Sequence, residues 1–198
     1  MNETKIIESI VDTTIPKLYD LDLLQKRCTM PEYDFQELGE TVDGKYPEDW
    51  YVYIDRGANI LGVAHLDYVA DNTGFVSMEW EKDGDKQVVV WNGALDDRLG
   101  TFLLLDVLPT MDLNFDVLLT TNEEWARSTA SDFKTDKKYK WIFEFDRRGL
   151  DVVMYDYETD ELKDMLQSVD IKVGAGSYSD ISCLEHLGVS GFNFGCGY

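Results

Sequence analysis

Asn92-Gly93-Ala94-Leu95-Asp96-Asp97-Arg98-Leu99-Gly100 sets two adjacent carboxylates between a small-residue turn and an apolar run, Leu99 to Leu105. The spacing of that run predicts a helix packed against a sheet. Acids at the head of a helix serve as dipole-favoured caps, and taken alone the pair reads that way. Its neighbours along the chain change the reading. Upstream, His65-Leu66-Asp67 closes an apolar strand; downstream, Glu123-Glu124 and Asp146 each follow an apolar, strand-like run. An imidazole and carboxylates delivered from several strand ends are the donor set of a zinc site.

The chain around these residues reads as alternating strands and helices. Ile6, Ile7, Ile10, Val11, Ile15, Leu18 and Leu21 predict an amphipathic helix broken near Pro16, and residues 31–49 read as a surface connection with at most a short strand. Strands are predicted at Trp50 to Ile54 and Ile60 to Ala64. A hairpin follows, Phe75 to Trp80 with Gln87 to Trp91 around Asp83-Gly84. The helix after the acidic pair ends near Pro109, and Phe115 to Thr121 is a buried strand. Strands at Trp141 to Phe145, Val152 to Tyr155 and Ser190 to Phe194, with helices at Glu158 to Leu166 and Ser179 to Leu187, complete an α/β sandwich.

The 198 residues suit one domain, and 44% hydrophobic content permits a sizeable core. A net charge of −21 offers no basic stripe for phosphates, which argues against nucleic acid or an anionic membrane as partner. No stretch has the length of a transmembrane helix, and Met1 to Val11 lacks a basic region ahead of an uninterrupted apolar one, so a cytoplasmic location is expected. Cys28, Cys183 and Cys196 are widely spaced and odd in number, the pattern of free thiols.

His65 and Asp67 are two apart on a strand and leave it on one face, where a carboxylate fixes the histidine tautomer. Each acidic site lies just past a strand, where open α/β sheets place their ligands. Val63-Ala64-His65-Leu66-Asp67, Ala94 to Gly100, Thr120 to Ala130, Phe143 to Gly149 and Ser177 to Ile181 occur in this order. This succession resembles the co-catalytic di-zinc exopeptidase superfamily, which includes zinc aminopeptidases, peptidase T and acetylornithine deacetylase.

The resemblance implies a three-layer α/β/α sandwich with a mixed, mostly parallel central sheet. It implies that His65, Asp96 and Asp146 hold one zinc and that Asp96 bridges to a second, also held by Glu124. Glu123 becomes the general base and Asp67 the orienter of His65. Adjacent glutamates divide the roles of ligand and base only if the backbone turns between them. The superfamily's remaining ligand is a histidine beyond a motif like Gly195-Cys196-Gly197-Tyr198, so the second site lacks its usual histidine here, and the sequence is expected to be a piece of a longer protein. His186, within a predicted helix, is expected to face solvent or pack. Arg147 and Arg148 are weighed as binders of a substrate carboxylate against pairing with surface acids, and pairing is the favoured reading.

No room exists for an inserted dimerisation or lid domain, so residues 1–198 are expected to form a single catalytic-type domain. The implied activity is that of a zinc-dependent exopeptidase, an aminopeptidase hydrolysing terminal peptide bonds of a peptide substrate. The alternatives are a non-catalytic relative serving as a binding or scaffold module, and a zinc amidohydrolase of N-acyl amino acids.

Overall fold

The run Asp116-Val117-Leu118-Leu119-Thr120 offers apolar side chains to both of its faces, and such a strand is stable only where both are covered. The computed structural model, which describes residues 20–69, 75–82, 85–91 and 94–196, places it inside a seven-stranded sheet. In chain order the strands are β1 (Glu40–Asp43), β2 (Trp50–Ile54), β3 (Ile60–His65), β4 (Val76–Lys82), β5 (Asp85–Trp91), β6 (Asp116–Thr120), β7 (Trp141–Glu144), β8 (Val152–Val153) and β9 (Ser190–Phe194). The sheet order is β1-β2-β6-β3-β7-β9-β8, with β4 and β5 paired apart from it. The β6-β3, β3-β7 and β7-β9 pairings are parallel, and β1-β2, β2-β6 and β8-β9 are antiparallel. This is the mixed sheet, parallel at its centre, expected from the sequence.

Helices α1 (Leu21–Thr29), α2 (Leu95–Phe102) and α3 (Asp160–Ser168) flank it. Alternation along the strands sorts the core into two layers. Val117 and Leu119 face Val52, Ala64, Phe143 and Leu104, where the continuation of α2 lies on the sheet. Leu118, Leu61, Val63 and Ile142 face the other way, onto Leu166 of α3 and onto Ile181 and Leu184. Gly62 lets α2's continuation approach closely, since a Cβ there would stand 2.6 Å from Leu104 Cδ2. Burying a leucine such as Leu118 contributes about 2–5 kcal/mol relative to alanine.

Three sequence expectations change. Ser179 to Leu187 is not an α-helix but two 3-10 turns, Asp180–Cys183 and Glu185–Leu187. Ser182 Oγ donates to the Ser179 carbonyl and accepts the Ser179 N–H, closing the chain into a local turn. Val152 to Tyr155 shortens to the two residues of β8, because Tyr155 takes φ 48° and turns the chain out of the sheet. The segment 31–49 holds the short strand allowed for it, β1, but is not all surface: in its 3-10 turn, Glu32–Leu38, Phe35 is fully buried in a cluster with Val52 and Ala64. The amphipathic helix read from Ile6 lies outside the described residues apart from Leu21, which opens α1. Among the described residues, no helix is long and apolar enough to cross a membrane.

At the end of the sheet away from the strand carboxyl termini, fully buried Asp116 collects donors. Tyr53 Oη (2.9 Å), Tyr139 Oη (2.8 Å), Lys137 Nζ and the N–H groups of Arg56 and Ala58 all reach it. Burial alone would raise its pKa, but Lys137 and the two backbone donors outweigh that and bring it down to about 2. With the folded pKa below the ordinary 3.8, the carboxylate stabilises the fold at neutral pH and that contribution is lost as pH falls from about 4 to about 2. The lost contribution is about 2 kcal/mol. Urea denaturation of Asp116→Ala is expected to show a loss of about 3 kcal/mol or more, because five donors lose a buried acceptor. The acid-induced fall between pH 4 and pH 2 should shrink in the same variant.

Candidate metal centre

The parallel strands deliver the site. His65 pairs in register with Thr120, and Val63 pairs with Glu144, so two residues further on His65 and Asp146 come level at the carboxyl ends of β3 and β7. His65 is fully buried. Its Nδ1 lies 2.9 Å from the carbonyl oxygen of Asp67 and donates to it, which fixes the tautomer and turns Nε2 outward. Nε2 then faces Asp96 Oδ1 at 3.4 Å, Asp146 Oδ1 at 3.8 Å and Glu123 Oε2 at 3.9 Å. These separations are long for hydrogen bonds, and buried Nε2 has no hydrogen-bond partner among the described residues. One ligand atom from each of His65, Asp96 and Asp146 lies within 4.8 Å of the others, a grouping that one metal ion can bridge.

The acidic pair at the head of α2 divides the two roles the sequence left open. The backbone at Asp96 and Asp97 is non-helical, and the peptide bond between them is cis. Asp97 is fully buried and folds back onto the helix, its Oδ1 accepting the Gly100 N–H at 3.0 Å as a cap does. Gly100 makes room for this, since a Cβ there would stand 2.1 Å from that oxygen. Asp96, half exposed, faces His65 instead.

Glu123 and Glu124 follow β6 in a tight turn. Asn122 and Ala126 take φ of 64° and 52°, and the Ala126 N–H closes onto the Glu123 carbonyl at 2.7 Å. The chain therefore makes the turn that a division of labour between adjacent glutamates requires. Asp67 holds this turn. Its Oδ1 accepts the Glu123 N–H at 3.2 Å and its Oδ2 the Glu124 N–H at 3.1 Å. The carboxylate expected to orient His65 is thus occupied with the glutamates, 3.6 Å from Nδ1, while the backbone carbonyl of the same residue makes the contact to the ring.

A buried polar layer that the sequence reading did not assign lies behind these groups. Asp180 accepts from Thr120 Oγ1 at 2.8 Å and from Ser128 Oγ. Glu144 accepts from Ser179 Oγ at 2.6 Å, and its other oxygen is buried without a partner. Asn193 exchanges hydrogen bonds with the backbone of Asp146 in both directions, 3.1 and 3.0 Å. Glu144 could have been found from strand periodicity, because it leaves β7 on the same face as Asp146 two residues later. Asp180 lay in the Ser-Asp motif without a role, and Asn193 carried no signal.

The electrostatics follow from crowding. Burial pushes the pKa of Glu123 up to about 8, with His65 opposing and Asp180, Asp146 and Glu124 adding to it. Burial likewise brings Asp146 to about 6, against the pull of His65. Asp97 and Glu144 are raised well above the carboxylate range, first by burial and then by neighbouring acids. Burial disfavours charge on His65, but Asp146, Asp67 and Asp96 overcome it and hold the imidazolium well above its ordinary range. A cation at Nε2 would displace that proton and relieve the carboxylates at once.

Arg147, His186 and two of the cysteines are engaged or buried elsewhere. Arg147 forks onto Asp151, with Nε to Oδ1 at 2.6 Å and Nη2 to Oδ2 at 2.8 Å. His186 is exposed on a different face and donates Nε2–H to the Phe133 carbonyl at 2.9 Å. Burial lifts the Cys28 and Cys196 thiols to about 12, so neither supplies a thiolate.

No family model and no curated protein matches the chain in sequence. Among solved structures it is similar to the TET1 peptidase of Pyrococcus horikoshii, a protein described as assembling into a tetrahedron or a large octahedral shell. That match has 15% identity and a TM-score of 0.50, covering 88% of this chain and 90% of that one. A dodecamer called PhTET1-12s matches at 13% identity and TM-score 0.48, covering 88% and 89%. BSAP, a zinc aminopeptidase from Bacillus subtilis, matches at 15% identity and TM-score 0.44, covering 74% of this chain and 40% of that one. At these identities the likeness to the Pyrococcus peptidase is one of fold.

Proposed function

We propose that this chain is a zinc-dependent exopeptidase acting as an aminopeptidase, and that residues 1–198 form one catalytic-type domain in which the β4–β5 hairpin is the element between β3 and α2 among the described residues. The observation that carries the reading is the buried Nε2 of His65, which has no hydrogen bond among the described residues and is aimed at the carboxylates of Asp96, Asp146 and Glu123. His65, Asp96 and Asp146 would hold one zinc, and Asp96 with Glu124 would contribute to a second. When bound, zinc supplies Lewis acidity toward the scissile carbonyl and acidifies water.

The protein's own groups supply positioning and proton transfer. Glu123 is mostly buried, and its backbone is fixed by Asp67, so its carboxylate is preorganised beside the ligands. As general base it takes a proton from the attacking water as the new C–O bond forms, and it then delivers that proton to the departing amine nitrogen as the C–N bond breaks. Asp67 acts through others: its carbonyl sets the His65 tautomer and its carboxylate sets the turn that separates Glu123 from Glu124. The carboxylate-rich site favours a substrate α-ammonium over an α-carboxylate, and Arg147, a candidate for binding a carboxylate, is committed to Asp151. This supports an aminopeptidase over a carboxypeptidase.

Glu123→Gln is expected to lower kcat by about 10²–10⁴-fold on peptide substrates while elemental analysis finds zinc retained. Zinc lost from that variant would contradict the role of base. Metal removal should expose the crowding. Folded Glu123, Asp146 and His65 keep protons that the unfolded chain releases at lower pH, so the metal-free protein loses stability as pH rises from about 5 to about 8. Calorimetry should show a Tm that falls over this range without metal, and a zinc-induced rise in Tm that is larger at pH 8 than at pH 6. A Tm indifferent to zinc at both pH values would contradict the metal centre.

A further inference from the structure

A carboxylate far from the site motifs in sequence grips the turn of Glu123 and Glu124 by the side chains at its two ends. Asp49, the residue before β2, is 5% exposed, and its Oδ1 accepts from Asn122 Nδ2 at 2.9 Å and from Arg127 Nη2 at 3.1 Å. The Arg127 N–H also donates to the Asn122 carbonyl at 3.1 Å, so the ends of the turn are joined through the backbone and again through Asp49. The first residue of β2 extends the grip: the Trp50 carbonyl accepts from Thr121 Oγ1 at 2.7 Å and from Thr129 Oγ1 at 3.1 Å. Arg127 stands over the Tyr46 ring as well, 5.3 Å from its centroid, on the segment that leads into Asp49.

The loop that carries Asp49 does not use this side chain to close itself. The Gly44 N–H donates to the Asp49 carbonyl at 2.7 Å and the Asp49 N–H to the Tyr46 carbonyl at 3.1 Å, so its main chain closes the loop while its carboxylate reaches Asn122 and Arg127. Asn122 has φ 64°, a left-handed conformation that residues with a Cβ adopt at a cost, and its bond to Asp49 holds it there. Asp67 accepts the N–H groups of Glu123 and Glu124 themselves; Asp49 fixes the joints on either side of them.

We propose that Asp49 is a positioning residue of the metal centre: by joining Asn122 to Arg127 through one buried oxygen, it sets the angle at which the turn presents Glu123 to the attacking water. This rests on the reading of Glu123 as general base and extends it to a residue outside the motifs that marked the site. Asp49 acts through Asn122 and Arg127 rather than on the reacting atoms. A displacement of about 1 Å at a catalytic group costs on the order of 10²-fold in rate, so a tie at the ends of the turn reaches the chemistry without touching it.

The test measures kcat, KM and zinc content with L-leucine p-nitroanilide on the zinc-loaded protein and on Asp49→Ala, Asp49→Asn and Arg127→Met, with folding checked by circular dichroism. Asp49→Ala is expected to lower kcat about 10²-fold with KM and zinc content nearly unchanged. Asp49→Asn, whose amide oxygen accepts the same two bonds, is expected to restore kcat to within about tenfold of the wild type. Arg127→Met alters a half-exposed side chain; it is expected to lower kcat about tenfold and carries the test where Asp49→Ala fails to fold. An unchanged kcat in Asp49→Ala and Arg127→Met, a loss that Asp49→Asn does not restore, or a loss that lies in KM or zinc content overturns the positioning role. In parallel, amide hydrogen exchange on the zinc-loaded protein reads the turn without catalysis. Asp49→Ala is expected to speed exchange at Ala126 and Arg127 by about tenfold or more, with Asp49→Asn close to the wild type. That result supports the clamp even where no substrate is cleaved, which would count against the peptidase reading alone. Exchange at Ala126 and Arg127 that is indifferent to Asp49→Ala overturns the clamp.

Discussion

One buried imidazole among carboxylates governs this end of the molecule. His65 spends Nδ1 on the Asp67 carbonyl, and its other nitrogen is left facing acids at distances long for hydrogen bonds and too short to escape its charge. Burial first, and neighbouring acids after it, raise the pKa of Glu123, Asp146, Asp97 and Glu144. Such an arrangement is costly in isolation and favourable around a divalent cation. The arrangement of elements serves it: parallel strands bring His65 and Asp146 level, the Asp67 fork fixes the glutamates, and Asp97 caps α2 so that Asp96 is left to face the ring.

The opposite end of the same sheet shows what a buried acid looks like when it is structural. Asp116 is as buried as His65, yet tyrosine hydroxyls, a lysine and backbone N–H groups satisfy it and lower its pKa. The contrast lies within one strand. β6 begins at a satisfied carboxylate and leads, past Thr120, to a cluster of carboxylates with raised pKa values. Stability is concentrated at one pole and chemical potential at the other, in keeping with sites that hold strain which the scaffold offsets.

Much of this was legible in the sequence. The central strands were, because doubly covered strands must be apolar on both faces, and β2, β6 and β9 fall within a residue of their expected limits. The resemblance named Asp96 rather than Asp97 as the ligand, and only the fold shows that the missing side chain of Gly100 is what gives the Asp97 carboxylate its place. What the sequence hid depended on tertiary closure. Ser179 to Leu187 has helical spacing, but Ser182 closes onto the Ser179 backbone while Ser179 and buried Asp180 bond Glu144 and Thr120 of the sheet, and the segment is broken into short turns. Phe35 sits among acids and reads as surface until the sheet covers it. Asp67 carried the right residue type, yet only the folded turn shows that its carboxylate serves the glutamates and its carbonyl serves the histidine.

The central claim is that a single histidine and a set of carboxylates form the metal's coordination shell. Zinc K-edge X-ray absorption on the zinc-loaded protein tests it most directly. The account predicts oxygen and nitrogen neighbours at about 2.0–2.2 Å with the scattering of one imidazole and no sulfur. Two imidazoles, which would draw in His186, or a sulfur shell at about 2.3 Å, would contradict it.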